Sequence, residues 1–447
     1  MSESLHIPAL IAVPRFHPLV TSKRSLVMKR SYSFALFVFV FGAVSSFAQT
    51  SGIDPKPTSA KIIITNTMPS IKPAATPASK PVQTPIIAGS QNIPAELAAE
   101  NTNQPVKNRT LSFGQMKAKI AEAKRQMITR PLTIASIEGV VKGESVRIAF
   151  FDWKTNQIDY AIMSKEDFLA KDGERRTFSQ NGKPLTARTI RANGVNTPIT
   201  LTDDEGDVKL PLLVQYPVVR EGKYIETAYY MSTHPGLVTP EVVNAGKYYV
   251  RNILEIARGK LKEKGIAIQP KVMDIAERLA AVEHVDHLRF RTEYHPNIYN
   301  DVYTLFALNE GQTYRYSVSS AGAGGMVQMI PSTYRMVRSQ YPHVPLMPDF
   351  VEGMRNHVNA SQAMLLYMQS TWNDLLSRSA VSNALLTNIA TPEQLMAAGY
   401  NSNPAKLAGY INRGGENWTN LIPRETKVYL QIFDSLERHV PMARRTQ

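Results

Sequence analysis

The hydrophobic period of this chain changes once, at Thr239, and that change limits what the chain can fold into. Before it, short apolar runs such as "SVRIAFFDW", "QIDYAIM", "KLPLLVQYPVVR" and "KYIETAYYM" stand between turn residues and read as strands. A stretch rich in Thr, Arg, Asn and Asp separates the second pair of runs from the first, and the helically spaced "LSFGQMKAKIAEAKRQM" precedes them all. From Thr239 on, the pattern is helix after helix with short polar breaks. Thr239 can cap, Pro240 fits a first turn, and Val243, Val250, Leu254, Ala257 and Leu261 mark one face until Gly265. A chain of 447 residues has room for two or three domains. The pattern predicts an α+β domain over 111–236, a connecting helix over 237–267 and a mainly α domain over 268–447. The α+β domain carries no catalytic constellation. A partner-binding or regulatory role, with an envelope protein as partner, is what remains for it.

The N-terminal quarter follows different rules. "MKRSYSFALFVFVFGAVSSFA", from Met28 to Ala48, has a basic start, an apolar centre and a small-residue end. These are the three parts of a secretory signal, too short for a comfortable membrane span; an uncleaved anchor is the other reading. Residues 1–27 match neither signal nor domain and read as an upstream extension with the working start at Met28. Over 49–110 the sequence is rich in Pro, Thr, Ser and Ala without apolar periodicity, which predicts a disordered tether.

Charge and export together narrow the partners. The chain carries 51 Lys and Arg against 37 Asp and Glu, a net charge of +14, which draws it to polyanions. Export points away from nucleic acid and toward envelope polymers, with the periplasm as location and no stable membrane span after signal cleavage. With no Cys, thiol catalysis, disulfides, Cys-based zinc sites and a lipid-anchoring Cys are all excluded.

The segment "NIYNDVYTLFALNE" puts Ile298, Val302, Leu305 and Phe306 on a buried helical face, with Glu310 one turn beyond an aromatic and Gly311 ending the helix. Burial beside Phe306 and Tyr303, together with the negative end of the helix dipole, would keep such an acid protonated. An exposed Glu at a helix end is the commoner alternative. The "AGAGGMV" run that follows lacks the Lys-Ser/Thr of a phosphate loop and the third glycine of a dinucleotide fingerprint, so no cofactor is implied. Small side chains there would let a sugar chain approach the backbone. "VEHVDHL" brings Glu283, His284, Asp286 and His287 together, but without the His-Glu-x-x-His order of zinc proteases it reads as a polar helix face, and no metal is assigned.

Four pieces in order carry a resemblance: Glu310 with Ser319 nine positions later; "GAGGMVQMIP" from Gly322 to Pro331, with Gln328 eighteen after Glu310; "YNSNP" from Tyr400 to Pro404; and "IPRETKVYL" from Ile422 to Leu430. Together they resemble the lytic transglycosylase domain of the soluble-transglycosylase type over roughly the last 170 residues. The resemblance implies a lysozyme-like fold for 268–447 and peptidoglycan glycan strands as substrate. It implies Glu310 as the single catalytic acid/base, Ser319 and Gln328 on the glycan, and Tyr400 and Asn401 across the cleft. Gly322 and Gly325 would shape the loop, and Glu425 with Thr426 would tie the last helix to the core. The chain departs from the family at Gly311, where a Ser usually follows the acid, and at Met326, Ile330, Gly399 and Ser402.

Ordinary glycosidases use two carboxylates. Nothing acidic occurs between Glu310 and Asp349, so a one-acid route fits better. The sequence shows only that one acid is available; the resemblance implies that it protonates the oxygen between N-acetylmuramic acid and N-acetylglucosamine, and that the muramyl C6 hydroxyl then attacks its own sugar. A lysozyme-like hydrolase and a non-catalytic wall-binding scaffold stand as alternatives.

Overall fold

The computed structural model describes residues 110–446 apart from 131, 133, 134, 138, 139, 312, 314–318 and 320. The expected upstream extension, signal segment (28–48) and all but the last residue of the expected tether (49–110) lie outside the described residues. Helix α1 (Phe113–Thr129) opens on a capping box between Ser112 and Gln115 and buries Met116, Ile120, Ala123 and Met127. Strands β1 (Ala135–Ile137) and β2 (Val140–Gly143) pair antiparallel. Then come β3 (Ser145–Asp152), β4 (Gln157–Ser164), the short helix α2 (Lys165–Leu169), β5 (Glu174–Ser179), β6 (Pro184–Thr189), β7 (Ile199–Asp203), β8 (Val208–Arg220) and β9 (Lys223–Met231).

Strands β3 to β8 pair in sequence order, and β8 then pairs back to β3. The result is a closed six-stranded antiparallel barrel, which corrects the expected fold class. Among the described residues there is no α+β layer standing before a separate mainly α, lysozyme-like domain. Instead, a barrel and thirteen α-helices share one compact unit. Closure depends on the length of β8. Its 13 residues pair with β7 at the start, with β3 through Leu210–Gln215, and with β9 from Leu213 onward. Val146, Ile148 and Phe150 of β3 fill the barrel with Leu185, Leu201 and Tyr216, while Ala149 and Phe151 point the other way onto α1. Both faces of β3 are therefore buried.

Helix α3 (Pro240–Lys262) starts at the Thr239 cap and buries Val243, Val250, Leu254, Ala257 and Leu261, the face the sequence predicts. It is more than a connector, because that face is part of the helical core. There follow α4 (Pro270–Val282), α5 (His287–Thr292), α6 (His295–Leu308), α7 (Pro331–Gln340), α8 (Phe350–Arg355), α9 (His357–Leu376), α10 (Ser379–Leu386), α11 (Pro392–Asn401), α12 (Leu407–Gly414) and α13 (Arg424–His439). The two halves are not separable. Leu237, Val242, Ala307 and Leu308 share an apolar cluster with α1, Phe151 and Leu210. Asn309 also accepts from the Met231 N–H at 3.1 Å, and Arg355 pairs with Glu226 at 2.7 Å.

Candidate active site

Helix α4 is buried on every side from Val272 to Val282, so its path through the core is fixed, and the first residue past it is Glu283. As a residue Glu283 is half-buried, and it forms part of the wall of a pocket with about 230 Å³ of free space. That is room for one sugar-sized group rather than for a whole ligand of ordinary size. Burial pushes the Glu283 carboxyl up to about 8; the negative charge of Glu425 adds to this, and a hydrogen bond from Tyr429 opposes it. The C-terminal end of α4 contributes negative potential of the same sign. The result is an acid that holds its proton at neutral pH.

The segments singled out in the sequence converge on this acid. Tyr429 Oη donates to Glu283 Oε1 at 2.5 Å. The next residue, His284, donates from Nε2 to the Met326 carbonyl at 2.9 Å, a bond that a carbonyl can only accept. Tyr400 donates to the neighbouring Val327 carbonyl at 2.7 Å, and burial, with the Glu283 charge adding to it, raises its phenol well above the ordinary value. Thr426 donates to Asn401 Oδ1 at 2.8 Å, fixing the end of α11 against α13. Burial holds His284 down to about 4, so it stays neutral.

The glycine loop is shaped as the motif requires. Gly322 and Gly325 have φ of 80° and 74°, and a Cβ on Gly325 would sit 2.5 Å from the Met354 carbonyl. Gln328 also takes a left-handed φ of 48°, and its side-chain amide donates to Gly325 O at 2.8 Å. A bridge between Gly324 and Met329 closes the loop. Ser319 is exposed and acts locally: its Oγ accepts from the Ala323 N–H at 3.1 Å. Glu425 is exposed and reaches Glu283 through its charge; the tie to the core is made by buried Thr426. The α11 capping box of Thr391 and Gln394 forms, and the helix runs past Gly399 to include Tyr400 and Asn401.

Glu310 is placed elsewhere. It follows the end of α6, its side chain is 37% exposed, and its Oε2 pairs with Lys117 Nζ of α1 at 2.5 Å. Phe306 and Tyr303 are buried inside the core and leave Glu310 outside it, so the expected shielding is corrected. Its neighbour Gly311 donates to Tyr249 Oη at 2.7 Å, and Tyr249 is bonded in turn to buried His357. Of the expected site residues, Glu310, Ser319, Gln328, Tyr400 and Asn401 all lie outside the lining of the pocket that holds Glu283.

Glu283 was legible only as part of the "VEHVDH" cluster. Among the described residues no group of three or more His, Asp or Glu could hold a metal; Glu283 and His284 face Tyr429 and Met326 instead. The signal that marks Glu283 is an acid placed directly after a helix too uniformly apolar to have a solvent face.

Comparison with known protein families, with curated proteins and with solved structures gives no match to this chain.

Proposed function

We propose that this protein is a peptidoglycan lytic transglycosylase and that Glu283 is its catalytic acid. The observation that carries the reading is a carboxyl in the wall of a pocket, bonded to Tyr429 and raised to about 8; Asp301 in the same wall is also raised by burial but is paired with Arg289. Segments that carry the sequence resemblance to transglycosylases reach Glu283 and its neighbour: Tyr429 bonds to Glu283, His284 to the Met326 carbonyl, and Tyr400 to the Val327 carbonyl. An acid that keeps its proton at neutral pH can protonate the glycosidic oxygen between N-acetylmuramic acid and N-acetylglucosamine. The C1–O4 bond breaks, the electron pair leaves with the N-acetylglucosamine oxygen, and the substrate's own N-acetyl oxygen supports the cationic carbon. The Glu283 carboxylate then takes the proton of the muramyl C6 hydroxyl as that oxygen bonds to C1. This leaves a 1,6-anhydromuramyl end and returns the acid to its starting state. The attacking hydroxyl belongs to the same sugar, so its high effective concentration removes the need to activate water.

Asp286 lines the same pocket, which keeps hydrolysis as the second reading. Its carboxylate accepts the N–H groups of Leu288 and Arg289 at 2.8 and 2.9 Å as the cap of α5, which turns it toward the backbone rather than toward a water. Incubating purified sacculi with the protein and weighing the released muropeptides separates the two, since the transglycosylase product is lighter by one water. Glu283→Gln should lower product release by roughly a hundredfold or more while the variant still sediments with sacculi. Equal release by wild type and variant would sink the enzyme reading and leave a wall-binding scaffold.

A further inference from the structure

One wall of the Glu283 pocket comes from the barrel. Arg191, Asn193 and Asn196, from the connection between β6 and β7, line it together with Glu283–Asp286, which follow α4, and with α6. Hydrogen bonds on both sides of Arg191 tie this connection down. Ile190 N–H donates to Pro198 O at 2.9 Å, Asn193 N–H to Thr197 Oγ1 at 2.9 Å, and Thr197 Oγ1 to Gly194 O at 2.7 Å. Thr233 Oγ1, just after β9, donates to Asn196 O at 2.7 Å. A connection held this way presents its side chains in set positions, as a binding site requires.

The charges in the pocket are unequally satisfied. The guanidinium of Arg289 is paired with Glu293 at 2.8 Å and with Asp301 at 2.7 Å. Arg191 is different: its Nε is buried without a hydrogen-bond partner, and Arg289, Asp301, Glu293 and Asp286 act on it only as charges at longer range. A half-buried guanidinium with an unused donor is costly unless an acceptor arrives. Its planar fork matches a carboxylate with two parallel bonds.

We propose that Arg191 is an anion subsite of the Glu283 pocket that takes a carboxylate carried by the muramyl residue of the substrate. This rests on the transglycosylase reading, because a bond cleaved at a muramyl residue brings that residue's acidic substituent beside the acid. Two sources share the chemistry: the carboxylates of an attached stem peptide, and the lactyl carboxylate of a muramyl residue without one. The barrel thereby contributes to selecting the substrate, which gives it a reason to be built into the same core as the helices.

Binding can be read without catalysis by titrating the full protein with muramyl dipeptide, N-acetylmuramic acid and N-acetylglucosamine in a calorimeter. Both acidic ligands should bind wild type about tenfold or more tighter than the neutral sugar. If only the dipeptide does, the stem peptide is the source. Arg191→Gln should bring the favoured ligands down to the neutral one, and Arg191→Lys, which keeps charge but not the fork, should fall between. On soluble glycan strands Arg191→Gln should raise KM about tenfold or more with a smaller change in kcat. The subsite is overturned if wild type binds all three ligands alike or if the Gln variant keeps the wild-type order. Should Arg191→Gln fail to fold, the wild-type order and the Lys variant decide. Absence of anhydromuramyl product from wild type would remove the transglycosylase reading, yet an Arg191-dependent preference for the acidic ligands would leave the subsite standing.

Discussion

The hydroxyl of Tyr429 donates to Oε1 of Glu283 at 2.5 Å, joining α13 to the end of α4 across 146 residues of chain. Two opposing effects meet in this contact. Burial raises the Glu283 carboxyl and the bond from Tyr429 lowers it, and burial wins, leaving the group at about 8. Burial and the neighbouring Glu283 charge push the Tyr429 phenol well above its ordinary value, so it stays a donor at any working pH. The carboxyl is thus held in one orientation without losing its proton at neutral pH.

Tyr429→Phe should therefore move the pH profile upward. An acid that must be protonated loses activity as pH rises through its pKa, so the wild-type kcat/KM should fall on the alkaline side near pH 8. Removing the bond that lowers this pKa raises it further, and the alkaline limb shifts to higher pH. The plateau should drop several-fold because the carboxyl is no longer oriented. A limb that moves to lower pH would contradict the assignment of Glu283.

Stability should carry the same signature with its own sign. The Glu283 pKa rises from 4.5 in the unfolded chain to about 8 in the folded one. Its contribution is fully present below pH 4.5 and is lost as pH climbs through 8, a change on the order of a few kcal/mol. His234, His284 and His357 act the other way, because burial lowers each from 6.5 to about 4. Their contribution is present above pH 6.5 and lost as pH falls through 4. Urea titrations at pH 5.5 and 8.5 should show Glu283→Gln gaining stability relative to wild type at the higher pH. Equal differences at both pH values would mean that Glu283 is ordinarily hydrated.

Much of the helical half was legible because its elements announce themselves. Thr239-Pro240 opens α3, Thr391 and Gln394 cap α11, and the apolar face of α3 repeats at helical spacing. The barrel was hidden by chemistry. Three of its strands, "ERRTFS", "PLTART" and "ITLTD", are too polar to stand out as apolar runs. The pairing of Phe151 with Leu210 that closes the sheet leaves no trace in local periodicity. The site was half legible. The spacing pointed to Glu310, whereas the buried acid bonded to Tyr429 lies directly after another helix, in a cluster that reads as a polar helix face.

The ion pair of Glu310 with Lys117 gives that distinction a direct test. Both side chains are well exposed, at 37% and 44%, so water and salt screen their attraction. Glu310→Gln should leave the urea midpoint within experimental scatter and product release from sacculi within about twofold of wild type, an exposed pair being worth about 0–1 kcal/mol. A loss of activity comparable to that of Glu283→Gln would return the catalytic role to Glu310.

Two glycines of α3 should respond oppositely to the same substitution. Gly246 is buried where α3 crosses α6, and a Cβ there would lie 1.9 Å from the Tyr303 carbonyl oxygen. Backbone cannot yield as a side-chain tip does, so Gly246→Ala must force the two helices apart and should cost about 3 kcal/mol or more. Gly259, near the other end of the helix, is exposed, and a Cβ there meets nothing within 4 Å. Gly259→Ala removes unfolded-chain freedom without a clash and should stabilise by about 0.5–1 kcal/mol. Urea midpoints of the two variants should therefore fall on opposite sides of wild type. The Gly246 variant should also lose activity, since α6 forms part of the wall around the Glu283 pocket through Val302, Thr304 and Leu305.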